Sequence, residues 1–224
     1  MKAFLSFLIS LFLSSSVAAP PTATLSKVSK VSIPVPYTSE IPNGAWVKPW
    51  NNACEEASIV MVDEFYHGIK TTRLTRQRAM TLMQPIFLWE DKNFGYNADA
   101  DAAEIARIIN ETTPFKATIK YQPTLDDIKQ ELAQGHPVIS LHYGFGLKNP
   151  LIPFRHSGSS YHVMVLKGYD DTTKEFIVND PGNDKSGLDF RYPYATIMDT
   201  LHDFNHHTKK VDGEPVVIFT TSKK

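Results

Sequence analysis

The chain has 224 residues, 42% of them hydrophobic, with 23 basic against 24 acidic side chains and a formal charge of −1. That balance excludes the broad basic field that nucleic-acid binding needs, and the hydrophobic content excludes a disordered polyelectrolyte. A single cysteine, Cys54, excludes an intramolecular disulfide framework.

The first residues carry Lys2, an apolar run over residues 3–13, and Ser14-Ser15-Ser16-Val17-Ala18-Ala19 ahead of Pro20. A charged start, a short apolar run and small residues predict a signal peptide over residues 1–19, since the run is too short to span a bilayer. The protein is therefore expected to be secreted or periplasmic, with no membrane attachment after cleavage. Residues 20–30 read as a flexible lead-in. Residues 31–224 read as one domain, large enough to bury a core without disulfides, and a monomer is expected.

Residues 31–37 alternate apolar and small side chains and are broken by Pro34 and Pro36, which suits an edge strand or extended arm. Residues 41–50, with two tryptophans, two prolines and a glycine, read as a surface loop. Asn52 and Glu55 form a capping-box pattern ahead of Ala57, Val60, Met61, Glu64 and Phe65 at helical spacing, and Gly68 closes that helix. Cys54 falls in its first turn, where the helix dipole favours thiolate. Two further helices are predicted over residues 74–83 and 98–109, with an aromatic loop over 89–96 between them. A strand over 116–121 follows, then a helix capped by Thr124 and ended by Gly135. Strands are predicted over 138–141, 161–168, 176–179 and 216–220, and a last helix over 194–204. Helices first and a mainly antiparallel sheet second is an α+β layout.

A thiol nucleophile needs a base to take its proton, and the base needs a third group to fix its tautomer. Of the eight histidines, His67 closes a helix, His136 precedes a proline, and His202, His206 and His207 lie in a polar stretch. His142 and His156 border a Gly/Pro-rich loop. His162 opens the apolar run Tyr161-His162-Val163-Met164-Val165-Leu166, where a buried ring needs a partner. In a hairpin of residues 161–168 with 176–179, Asp180 falls opposite His162 at the same end, so it can hold one ring nitrogen and leave the other for Cys54. His202 and His206 have zinc-helix spacing but lack an acidic companion, and no metal or other cofactor is expected.

Four blocks resemble the C39-like peptidases, a branch of the papain-like cysteine proteases that includes bacteriocin leader-processing domains. They are Val35-Pro36-Tyr37-Thr38-Ser39, Ala53-Cys54-Glu55-Glu56-Ala57-Ser58, Tyr161-His162-Val163-Met164-Val165-Leu166-Lys167-Gly168-Tyr169 and Val178-Asn179-Asp180-Pro181-Gly182. The resemblance implies a papain-like fold in which a nucleophile helix packs on the sheet. It implies Cys54 as nucleophile, His162 as general base and Asp180 as orienting carboxylate, acting on a peptide or protein substrate. It also implies a glutamine six positions before the cysteine as oxyanion donor, yet Lys48 stands there. Asn51 and Asn52 are the candidate substitutes. Glu55 replaces a glycine common in the family, and pointing inward it would raise the thiol pKa. The alternative is a non-catalytic binding module for peptide or cell-wall glycopeptide, with Trp46, Trp50 and the loop over 145–154 lining a groove.

Overall fold

The computed structural model describes residues 28–151, 160–182 and 184–223. The predicted signal peptide, residues 20–27 of the lead-in, and His156 lie outside them. In chain order the elements are β1 (Lys30–Ser32), α1 (Cys54–Tyr66), α2 (Arg76–Asn93), α3 (Ala102–Thr112), β2 (Phe115–Tyr121) and α4 (Leu125–Ala133). They continue as β3 (Val138–Tyr143), β4 (Tyr161–Asp170), β5 (Glu175–Asn179), β6 (Phe190–Pro193), α5 (Tyr194–Thr200) and β7 (Val216–Ser222). The strands form one sheet in the order β2-β7-β3-β4-β5-β6, with β1 on β4, and every ladder is antiparallel. This is the expected α+β architecture.

β4 is the keel of the sheet, because all ten of its residues are buried. Its first half pairs with β3, its second half with β5, and β1 continues the edge where β3 stops. That approach depends on Gly168: a Cβ there would lie 2.2 Å from the Val31 carbonyl oxygen, so only hydrogen lets the two backbones meet. Lys167 sits at a register shift in the β4–β5 ladder, with Gly168 opposite Ile177 but Leu166 opposite Val178. The helices cover this frame. α1 and α4 pack on β4, α3 packs on β2 and β7, and α5 packs beside β3, β5 and β6. α1 is buried nearly all round, from Cys54 to Val62 and again at Glu64, as a helix enclosed by sheet and neighbouring helix must be.

Several elements differ from expectation. Of residues 31–37, read as an edge strand or extended arm, only Val31 and Ser32 join the sheet, and the rest runs as a Pro-broken arm, with Tyr37 bridging Arg73. α2 passes through Pro85 to Asn93 instead of ending near Met83. Pro85 is exposed while Ile86, Phe87 and Glu90 are buried beyond it, so packing offsets the roughly 3 kcal/mol that a helical proline costs. α3 starts later than predicted because Asp101 and Glu104 form a capping box. α5 stops at Thr200, so His202 and His206 share no helix face; His202 Nδ1 meets the Gly213 carbonyl, and His206 Nε2 meets Glu104 at 2.8 Å. β6 was not expected. Among the described residues no helix is long and apolar enough to cross a membrane.

Candidate active site

The chain enters α1 through a 3-10 turn over Trp50–Asn52, and Trp50 anchors that turn by meeting the Phe87 ring edge-on at 5.3 Å. The N-cap is Ala53, with no side-chain cap bond, so the predicted Asn52–Glu55 capping box is absent. Glu55 turns inward instead. Its Oε1 accepts from the Ala100 N–H at 3.0 Å and its Oε2 accepts from the Cys54 thiol at 3.0 Å. This frees Asn52, which with Asn51 lies half-buried just before the cysteine. Lys48, six residues before Cys54, is exposed.

Cys54 is the first residue of α1 and is 4% exposed. Its N–H, like those of its neighbours in a first turn, lies outside the helical ladder. The thiol pKa is pushed well up, first by burial, then by the Glu55 and Glu40 carboxyls. A resting thiolate was the expectation from the helix dipole. It does not hold, because a dipole contribution of about 0.3–2 kcal/mol is smaller than the cost of a desolvated anion beside two carboxyls.

His162 lies near the start of β4, directly opposite His142 on β3. Its Nε2 meets Asp180 Oδ1 at 2.8 Å, with both groups enclosed. The pairing is not the direct cross-strand opposition expected. Extending the register of Val165 with Asn179 puts Asp180 across from Met164, two residues along from His162. The bulge at Lys167 matters here: residues two apart share a sheet face, whereas the register of the turn end would have put the pair on opposite faces. Burial pushes the His162 pKa down, but the charge and hydrogen bond of Asp180, with Glu40 adding, outweigh it and leave it above the ordinary value.

Asp180 is held from several sides that the sequence did not announce. Tyr192 on β6 donates to Oδ2 at 2.6 Å, Asn149 Nδ2 lies 3.4 Å from the same oxygen, and the Gly182 N–H donates to Oδ1 at 3.1 Å. Burial alone would raise its pKa; the imidazole and these donors outweigh burial and hold it below the usual carboxylate value. His142 plays a different part. It bonds Thr200 Oγ1 and Ser140 Oγ, and burial beside His162 pushes it down to about 3, so it is a neutral structural ring.

A model of the Peptidase_C39 like family matches residues 32–217. The chain belongs to that family. A crystal structure described as that of a C39-like peptidase from Bacillus anthracis superposes with a TM-score of 0.54 at 15% identity, covering 87% of this chain and 99% of the other. At that identity the likeness speaks for the fold alone, and it agrees with the papain-like α+β reading. No curated protein matches the chain.

Among the described residues, two side-chain clusters have a metal-ligand composition: Asp63, Glu64 and His67, and Asp101, Glu104 and His206. Both are engaged otherwise. Arg78 grips Glu64 through two nitrogens, and Glu104 belongs to the α3 cap while also accepting from Tyr96 and meeting His206.

Behind the cysteine, Glu56 on α1 and Glu90 on α2 form an enclosed carboxyl pair, each with one oxygen that has no partner. Burial raises both pKa values, and Glu90 reaches about 8. The folded chain therefore keeps protons that the unfolded chain releases above its ordinary glutamate value near 4.3. Stability must then fall as pH rises from there through the folded-state values. His142 acts in the opposite direction, but only below its ordinary value near 6.5. Urea melts at pH 6.5 and 8.5 are expected to show a loss on the order of 2–4 kcal/mol. Glu56→Gln, which keeps a donor toward Glu90 and cannot ionise, should remove a third or more of that loss. A flat profile in the wild-type chain would mean that the pair shares no proton.

Proposed function

We propose that the chain is an exported thiol hydrolase that cleaves peptide amide bonds. Cys54 is the nucleophile, His162 the general base and Asp180 the carboxylate that orients it. The observation that carries the reading is the enclosed His162–Asp180 bond at 2.8 Å through Nε2. His162 stands on β4, the strand against which the Cys54 helix packs.

In this mechanism the thiol reaches substrate protonated, since burial raises its pKa. His162 Nδ1 takes the proton as Sγ bonds to the carbonyl carbon, and the Cys54 N–H faces the developing oxyanion. The C–N bond breaks as His162 returns that proton to the leaving amine. Water, deprotonated by His162, then attacks the thioester, and the Sγ–C bond breaks to release the acid as His162 returns the proton to Sγ. In this mechanism Asn51 or Asn52, in the 3-10 turn ahead of the cysteine, offers an amide to the same oxygen. No step calls for a cofactor.

Alkylation by iodoacetamide between pH 5 and 8 tests the pairing. The wild-type thiol is expected to react about 10²-fold faster or more than that of His162→Ala, the low end for a base that acts on its nucleophile. Equal rates would mean that no imidazole acts on the thiol. The binding-module reading would then lead, and one observation already favours it: the hydrogen bond of the resting thiol goes to Glu55. Trp46, 56% exposed in the loop before Cys54, would be its contact surface.

A further inference from the structure

Glu40 is a buried carboxyl in the candidate site that the triad leaves unused. It is 5% exposed and ends an arm fastened to the Asp180 turn at three points. Tyr37 Oη donates to the Asp180 carbonyl at 3.1 Å, and Ser39 Oγ and the Glu40 N–H donate to the Pro181 carbonyl at 3.1 and 3.0 Å. From that position the carboxyl acts electrostatically on both halves of the site. His162 and Asp180 face it from the sheet, Cys54 and Glu56 face it from the start of α1, and Tyr37 faces it from its own arm. Among the described residues no hydrogen bond reaches its side chain. The enclosed oxygens without a partner there belong to Glu56, Asp63 and Glu90, so those of Glu40 keep an edge open to the surface.

A carboxyl in such a place is desolvated and unbonded, an arrangement that costs free energy unless a ligand completes it. As a carboxylate it would oppose both thiolate and oxyanion. As an acid it would offer one O–H to an acceptor in the cleft. The acceptor that amide cleavage brings there is a carbonyl oxygen whose negative charge grows on attack.

We propose that protonated Glu40 donates a hydrogen bond to the carbonyl oxygen of the scissile amide and completes the oxyanion site begun by the Cys54 N–H. The proton stays on Glu40 throughout. The inference rests on the peptidase reading and adds a pH gate to it. Burial, opposed by His162 and reinforced by Asp180, pushes the Glu40 pKa up to about 7. The donor is present in mild acid and is lost as pH rises through that value, when a repelling charge takes its place.

The test is kcat/KM from pH 5 to 9 on an internally quenched, mixed-sequence peptide library, with thermal melts at each pH. The ratio of wild type to Glu40→Gln, in which the His162 limb common to both chains cancels, is expected to fall at least about tenfold between pH 6 and 8.5, centred near 7. Glu40→Gln keeps the shape and an N–H donor but cannot ionise, so it should stay within about fivefold of wild type at pH 6 and lack the Glu40 limb. Glu40→Ala should be about 10²–10³ below wild type at pH 6. A flat ratio of wild type to Glu40→Gln, or Glu40→Ala equal to wild type at pH 6, overturns the assignment and leaves the triad standing. Should the alanine chain melt below the assay temperature, the near-isosteric glutamine variant decides alone. A wild-type chain that hydrolyses nothing at any pH removes the peptidase reading itself, and this inference with it.

Discussion

Cys54→Ala is expected to lose about 10⁴-fold or more of peptide hydrolysis and to remain folded. The loss follows from chemistry, since without the sulfur there is no acyl-enzyme and the remaining groups offer only binding and polarisation. The fold should survive because the deletion is small. Removing one buried sulfur and leaving Glu55 Oε2 without its donor costs on the order of 1–3 kcal/mol, inside the 5–15 kcal/mol typical of a domain. Cys54→Ser separates the two effects. A hydroxyl can still donate to Glu55, so the serine chain should melt nearer to wild type yet hydrolyse as little as alanine. Activity assays and thermal melts on the three chains check this. Unfolding of both variants would make Cys54 a packing residue, and wild-type hydrolysis by either would remove it as nucleophile.

How far the sequence carries depends on the range of the forces involved. β4, β5 and β7 were legible because their apolar runs are short and bounded by turn residues, and α4 because Thr124 caps it within its own segment. α2 was misread because the burial of Ile86 and Phe87, a tertiary effect, outweighs the local preference of Pro85. The cap of α1 was misread for a related reason. Asn52 and Glu55 have the right local pattern, but Glu55 finds Ala100, 45 residues away, and satisfies a backbone donor there. Local capping lost to a long-range bond.

The candidate site shows the same division. Residue type and rough position were enough to single out His162 and Asp180, which the structure brings together, although through a bulge that the sequence did not disclose. Tyr192 and Asn149 carried no signal, since β6 was not predicted and Asn149 lies in a loop. For Glu40 a clue was present: it follows directly on Val35-Pro36-Tyr37-Thr38-Ser39, one of the blocks that carried the family resemblance. For the thiol, the sequence showed the helix dipole and the opposing effect of an inward Glu55, which the structure has, but not the burial that raises the pKa first.

Asp180→Ala is expected to cost about 3–5 kcal/mol of stability as well as activity. Asp180 cannot be trimmed as cheaply as Cys54. Its carboxylate is fully buried and is the acceptor for His162, Tyr192 and the Gly182 N–H. Alanine strands all three donors in an enclosed space that water reaches poorly. Asp180→Asn keeps the volume and one acceptor atom but turns an NH₂ toward one of the donors, so a loss of roughly 1–3 kcal/mol is expected. Both variants should lower kcat/KM by about 10²–10⁴, because the imidazole loses the group that fixes its tautomer. The His162 pKa should fall as well, since the charge of Asp180 raises it, moving the acid limb of the pH profile downward. The stability difference has its own pH signature. Asp180 titrates below its ordinary value when folded, so its contribution is complete above about pH 4 and fades as pH drops through the folded value. Urea melts of the three chains should thus differ most at pH 6 and draw closer as pH falls below about 4. An alanine chain as stable as wild type at pH 6 would show that the buried network does not hold the turn, whereas a stable but inactive asparagine chain would assign Asp180 to positioning of the base alone.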